Sequence, residues 1–231
     1  MKQLSTIITA CLVATAAWGQ QTWSTNVPVN TAVPDNDASG LAGAFTVSGL
    51  SGAITDVTVT LDLTGGYDGD LYAYIVGPNG GFAVLLNRAG LSATNANGYG
   101  DTGFNITIDD SATYANLHNY QSSGSYATNG SGQVTGTWAS DGRNIDPQSA
   151  AGAFDSAAVT ATLGSFVGND ANGTWGFYIA DLSPGGQSTL VSYGVTIQTV
   201  PEPQTWMLAG LSALAAVSLF RNRNGRVTAK N

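Results

Sequence analysis

Lysine and glutamate are missing from the whole stretch between Gln20 and Val200, and arginine occurs there only as Arg88 and Arg143. Against these two cations stand fourteen aspartates, a formal charge of −12. A surface of that sign repels nucleic acid, so no nucleic-acid partner is expected. Cysteine is equally scarce. Cys11, the one cysteine, lies in the apolar amino-terminal stretch, and a chain that sheds this stretch has neither a disulfide nor a cysteine nucleophile. Histidine occurs once, as His118 in Asn-Leu-His-Asn-Tyr, with no Gly-x-Ser-x-Gly and no His-Glu-x-x-His, so common hydrolase and zinc motifs are missing. His118 is expected to be a solvated loop residue. No two carboxylates stand out as an acid and base facing each other across a cleft, which speaks against a glycosidase. Good helix formers are thin between Gln20 and Val200, which argues against a helical core. Recurring Val, Ile, Leu, Phe and Trp argue against disorder despite the acidity.

Both ends read as addresses. Residues 1–19 carry Lys2, an apolar stretch through Ala17, and the small-x-small site Ala17-Trp18-Gly19, the pattern of a signal peptide that leaves Gln20 as the new amino terminus. Ile8-Thr9-Ala10-Cys11 superficially matches a lipoprotein box, but the apolar core before it is short and the chain stays apolar beyond it. In residues 200–231, Pro201-Glu202-Pro203 precedes an apolar run from Thr205 to Phe220, then Arg221, Arg223 and Arg226. That run is a short hydrophobic helix of roughly 24 Å against a bilayer core of about 30 Å, with the arginines on the cytoplasmic side. The alternative is an ordinary short membrane anchor. The order Pro-Glu-Pro, hydrophobic helix and basic end resembles the PEP-CTERM sorting tail of exopolysaccharide-producing Gram-negative bacteria. The resemblance implies that Pro201, Glu202, Pro203, Arg221 and Arg223 form a sorting signal read by an exosortase-type enzyme. It implies a secreted protein held transiently at the inner membrane, then passed to the cell surface or extracellular matrix.

Between these ends lies one domain, residues 20–199. Asp56, Thr58, Thr60 and Asp62 alternate with Val57, Val59, Leu61 and Leu63, a strand with one wet face. Leu71 to Val76 is apolar throughout and reads as a strand buried on both faces or central in its sheet, followed by a Gly77-Pro78-Asn79-Gly80 turn and a return strand from Phe82 to Leu86. Further strands are expected at Ala44 to Val47, Phe104 to Ile108 and Gln133 to Trp138. Trp175 to Ala180 and Leu190 to Ile197, joined across Ser183-Pro184-Gly185-Gly186, read as a closing hairpin. Residues 112–154 have little periodicity and read as a long loop.

A series of landmarks stands in order: Asp68-Gly69-Asp70-Leu71, Gly77-Pro78-Asn79-Gly80, Leu85-Leu86-Asn87-Arg88-Ala89-Gly90, Asp109-Asp110-Ser111-Ala112, Asn172-Gly173-Thr174-Trp175, Ala180-Asp181 and Leu190-Val191-Ser192-Tyr193. The series resembles the P domain, or Homo B domain, of kexin- and furin-type proprotein convertases. That resemblance implies an all-β fold, a jelly-roll-like antiparallel β-sandwich of about eight strands. No subtilisin-like catalytic domain accompanies it, so proteolysis is not implied.

Two kinds of site follow from the residues. Calcium takes carboxylate and carbonyl oxygens, which Asp-rich turns offer. Asp68 and Asp70 are the first choice, with Asp109 and Asp110 as partners from a neighbouring loop, and Asp35 with Asp37 a separate candidate. The alternative is that all are solvated turn formers. Tyr114, Tyr120, Tyr126 and Trp138, with Tyr99 nearby, lie among Asn and Ser and could stack on sugar rings of an extracellular polysaccharide, or pin the loop to the sandwich. The resulting expectation is a non-catalytic structural or adhesive surface protein. A carbohydrate-binding module and a hydrolase with an unrecognised site are the rival classes.

Overall fold

The computed structural model describes residues 19–200 apart from Ala112; the rest of the expected signal peptide, the Pro201-Glu202-Pro203 motif, the hydrophobic helix and Arg221 and Arg223 lie outside the described residues. The described residues form nine strands: β1 (Gln21–Ala32), β2 (Asp37–Val47), β3 (Ala53–Gly65), β4 (Leu71–Val76), β5 (Phe82–Asn87), β6 (Gly103–Ile108), β7 (Val134–Trp138), β8 (Gly173–Asp181) and β9 (Ser188–Val200). They make two sheets, one in the order β1-β9-β3-β6-β7 and one in the order β2-β8-β4-β5. The fold is an all-β sandwich. All pairs are antiparallel except β6 with β7, which run parallel in a register that sets Phe104 against Val134 and Ile108 against Trp138.

Period-two patterning places the core. Val57, Val59, Leu61 and Leu63 of β3 point inward and are buried, as are Leu71, Ala73 and Ile75 of β4. Tyr72 and Tyr74 of β4 are half-buried and meet Tyr178 of β8 on the other face, so β4 is covered on one side and not on both. Trp175, Phe177 and Ile179 of β8 face Tyr193, Val195 and Ile197 of β9 across the interior, and the rings of Phe177 and Tyr193 stack at 4.1 Å.

That facing arrangement corrects the expected closing hairpin. β8 pairs with β2 and β4, whereas β9 lies between β1 and β3 in the opposite sheet. The Ser183-Pro184-Gly185-Gly186 segment reverses the chain but carries it over the sandwich edge, because both apolar faces must turn to one shared core. β1 was not foreseen. Its alternation of Trp23, Thr25, Val27 and Val29 packs a half-buried face, and Trp23 stacks on Phe45 of β2 at 5.7 Å.

The expected long loop is largely structured. Short 3₁₀ turns at Leu117–Ser122 and Ala151–Ser156 and the strand β7 occupy it, and Leu117, Tyr120, Val134, Trp138 and Phe154 are buried. His118 is a correction of the same kind: it is 3% exposed, with Nδ1 at 2.8 Å from Asp141 Oδ2 and Nε2 at 3.1 Å from the Leu91 carbonyl. Arg143 Nη1 adds an ion pair to Asp141 at 3.3 Å. Both ring nitrogens lie against protein acceptors, so the ring is tied into the interior.

Candidate functional site

At one end of the sandwich three segments meet. The Gly66-to-Asp70 entry to β4 is stitched to the loop beyond Arg88 by bonds from Gly69 N to the Tyr99 carbonyl at 2.8 Å and from Tyr99 N to the Ala89 carbonyl at 2.8 Å. A side chain at Gly69 would run into Gly98 Cα and Tyr99 N at 2.7 and 2.8 Å, so the close approach requires glycine there. The turn after β8 is tied in by Leu182 N donating to the Asp70 carbonyl at 2.9 Å.

Between these segments lies a pocket of about 520 Å³ with Tyr67, Tyr99 and Pro184 among its walls and Asp70, Arg88 and Ser183 lining it. Arg88 follows β5 with φ of 53°, a left-handed conformation that only surrounding contacts keep in a non-glycine residue. Its Nε donates to the Gly69 carbonyl at 2.6 Å, its Nη2 donates to Ser183 Oγ at 2.7 Å, and Nη2 lies 3.7 Å from Asp70 Oδ1. Burial lowers the Arg88 pKa against the opposing pull of Asp70, and burial raises the Asp70 carboxyl against the pull of Arg88. Tyr67 is 46% exposed, so part of its side chain is open to solvent. Aromatic walls over a charged, hydrogen-bonding floor suit a small polar ligand with both C–H faces and hydroxyls.

Asp181, at the end of β8, adds negative charge beneath this floor. Burial first, then Asp70 and Asp35, push its carboxyl up to about 6. Asp35 reaches the same turn from the other side, accepting the Gly185 amide at 3.3 Å.

The sequence-derived candidates divide. Asp70 is in the pocket. Asp68 is buried beneath it, with Oδ1 accepting the Gly103 amide at 2.8 Å and Oδ2 at 2.9 Å from Tyr120 Oη. Asp109 and Asp110 are not their partners. They follow the far end of β6 from Gly103, roughly 20 Å of strand away. There Asp109 caps the Ser111 amide, and Asp110 accepts the amides of Ser140 and Leu163 at 2.7 and 2.5 Å. Asp37 caps Ser39 at 2.8 Å. Among the described residues no group of three or more His, Cys, Asp or Glu side chains is placed to hold a metal ion.

The aromatic set divides too. Tyr120 and Trp138 have no exposed surface, so their faces cannot stack on a sugar; Tyr120 packs edge-on against Tyr99 at 4.8 Å and Trp138 Nε1 donates to the Thr135 carbonyl at 2.9 Å. Tyr114 and Tyr126 are 39% exposed, and Tyr126 Oη donates to Asp101 at 2.7 Å. Tyr67, Arg88 and Ser183 were missed as site residues. Tyr67 adjoins Asp68, and Arg88 stands in one of the quoted landmarks, but which loops converge is set by the sheets.

A second hollow, of about 570 Å³, lies over the outer face of the five-stranded sheet among Thr60, Asn105, Thr107, Thr137 and Ser192. Asp62 is the one ionisable residue lining it, and its carboxylate is taken by Gln133 Nε2 at 2.7 Å. Among the described residues no helix is long and apolar enough to cross a membrane.

Comparison with known proteins adds little about the domain and more about the tail. No curated protein matches the chain. Two crystal structures of the Aeromonas sobria serine protease are similar, one with its chaperone (14% identity, TM-score 0.39) and one of the protease (12% identity, TM-score 0.38). The alignments cover 79% and 78% of this chain, and the chain spans 27% of each of theirs. Residues 199–223 match the PEP-CTERM protein-sorting motif, which implies export, sorting to the cell surface and an exosortase-type enzyme as the partner that reads it.

Proposed function

We propose that the protein is a non-catalytic, surface-sorted β-sandwich of the P-domain type with an adhesive role, and that it grips a saccharide of the extracellular matrix in the Tyr67–Tyr99 pocket. The carrying observation is the pocket itself: two tyrosines line it together with the Arg88–Asp70 pair, which offers donors and acceptors for sugar hydroxyls. The P-domain reading draws on the sequence landmarks, several of which sit at structural junctions. Asp68-Gly69-Asp70 leads into β4, and Gly77-Pro78-Asn79-Gly80 forms the turn between β4 and β5. The non-catalytic reading is supported by His118, whose ring nitrogens are both engaged.

The test is retention of the purified full chain, in mild detergent, on immobilised exopolysaccharide and on a glycan array. Retention above that of an unrelated acidic protein, lost in Tyr67→Ala, is the expected result. Equal retention of the two proteins refutes the saccharide, and turnover on an ester, glycoside and peptide panel refutes the non-catalytic role. Sorting is read separately: deleting Pro201-Glu202-Pro203 should block surface release in cells that carry the sorting enzyme.

A further inference from the structure

Two of the four sheet edges are covered and two are open. β5 is shielded by the chain beyond β7: Gly142 N donates to the Val84 carbonyl at 3.0 Å, Asp141 N to the Leu85 carbonyl at 3.2 Å, and Val84 N to the Ala161 carbonyl at 2.8 Å. β7 is shielded by the segment before it, with Thr135 N donating to the Ala127 carbonyl at 3.0 Å. β1 and β2, the edges on the opposite side, differ. Among the described residues β1 pairs only with β9 and β2 only with β8, and no other backbone-to-backbone hydrogen bond reaches either strand.

The core is thinly covered along these two edges. Trp23, Val27 and Val29 of β1 and Leu41 and Phe45 of β2 pack on it while remaining half-buried. Between the two strands a cleft of about 320 Å³ runs in to Phe177, Leu190 and Tyr193. Charge is missing as well. In a domain of formal charge −12, β1 has no charged residue and β2 has only Asp37, at its start. Edge strands are normally blunted by charge, proline or a bulge, since an open edge invites another strand. Pro28 with the register break beyond it, and the break between Asp37 and Leu41, serve that end for part of each strand. Gln21 to Val27 and Leu41 to Val47 keep a regular register and carry none of these devices.

We propose that this side of the sandwich is the interface of a homodimer, in which β1 runs antiparallel to β1 of a second copy and β2 to its β2, so that each sheet continues across a two-fold axis. The occupant has to bring backbone donors and acceptors on an extended strand, with apolar cover for the half-buried residues. It also has to approach without setting negative charge against negative charge. A second copy meets both conditions, because a two-fold contact sets this uncharged patch against itself. The wall is about 40 Å long by strand length and about 20 Å deep, counting two sheets about 10 Å apart with their outer side chains. That is roughly 800 Å² for each partner, the size of a stable interface. This inference does not rest on the saccharide reading.

The experiment is sedimentation velocity on the full chain in mild detergent, joined to amide hydrogen exchange at low and high protein concentration. The native chain should be a dimer at high concentration, with alternate amides in Gln21 to Val27 and Leu41 to Val47 exchanging at least about tenfold more slowly than in the dilute sample. Ser24→Asp with Ala44→Asp sets like charges across the two-fold on exposed positions, and should give a monomer with an unchanged melting temperature. A native chain that stays monomeric overturns the interface, as does a dimer retained in the double variant. A dimer without slowed exchange in both strands overturns it too, because the contact then lies elsewhere in the chain. Slow exchange in a monomer shows that another part of the same chain covers the edges, and overturns it equally. Saccharide retention is read through Tyr67→Ala, so the two proposals fail separately.

Discussion

Asp68 and Tyr120 share a hydrogen bond that must run from the carboxyl to the phenol. Tyr120 Oη lies 2.9 Å from Asp68 Oδ2 and 2.8 Å from Asp101 Oδ2, and one phenolic hydrogen cannot serve two acceptors. Burial raises the Asp68 carboxyl well above the usual range, and burial with the two carboxylates holds the Tyr120 phenol far above its own. Asp68 therefore keeps its proton and donates to Tyr120, which donates to Asp101, where Gln121 and Tyr126 also donate.

Asp68→Asn preserves an acceptor for Gly103 and a donor for Tyr120, so it should cost less than about 1 kcal/mol at neutral pH. Asp68→Ala strands the Gly103 amide and should cost about 1–3 kcal/mol in urea unfolding. Equal losses from the two variants contradict the proton's placement on Asp68.

Stability should rise as pH falls from about 7.5 to about 5. The sign follows from Asp68 and Asp181, both raised on folding: the native state holds protons that the unfolded chain has released, so acid favours the native state. For Asp181 the cost of ionisation is complete above about 6 and relieved as pH falls towards the unfolded value near 4. The gain is on the order of 1 kcal/mol after allowance for solvent screening. Thermal melts across this pH range check it; a flat or inverted profile counts against the buried carboxyls.

His118→Ala removes a ring stacked on Phe154 at 5.9 Å and strips Asp141 of a donor. A loss of about 2–4 kcal/mol in urea unfolding is expected. A loss below about 0.5 kcal/mol is what a solvated surface residue gives, and would restore the loop reading.

Tyr67→Ala and Tyr99→Ala should separate binding from folding. Tyr67 is exposed, so its truncation should change stability by less than about 0.5 kcal/mol while saccharide retention is lost. Tyr99 packs against Tyr120 and leaves no room for a side chain at Gly90, so its truncation should lower both.

What was legible followed from local periodicity. β3 and β6 stood out because alternation over a few residues reports a half-buried face without reference to any partner, and the β4–β5 hairpin because its turn residues sit between its own two strands. Sheet membership was not legible. Pro184-Gly185 signals a reversal whether β8 and β9 pair or face each other, and only the burial of Phe177 against Tyr193 decides between them. The polar interior was hidden for a similar reason. His118 and Asp68 look like solvated loop residues until Asp141 and Gly103, distant in sequence, arrive as partners. Asp70 could be picked out from its turn, but its company of Arg88 and Ser183 is assembled from two separate connections.

The position of β9 matters for how the molecule bears force. The strand runs to Val200, immediately before Pro201-Glu202-Pro203, and it is hydrogen-bonded on one side to β1 and on the other to β3. A pull applied at Val200 along the strand axis shears the two ladders as a set instead of peeling them one rung at a time. Val200 thus ends a strand held on both sides, and a load entering there meets two ladders at once.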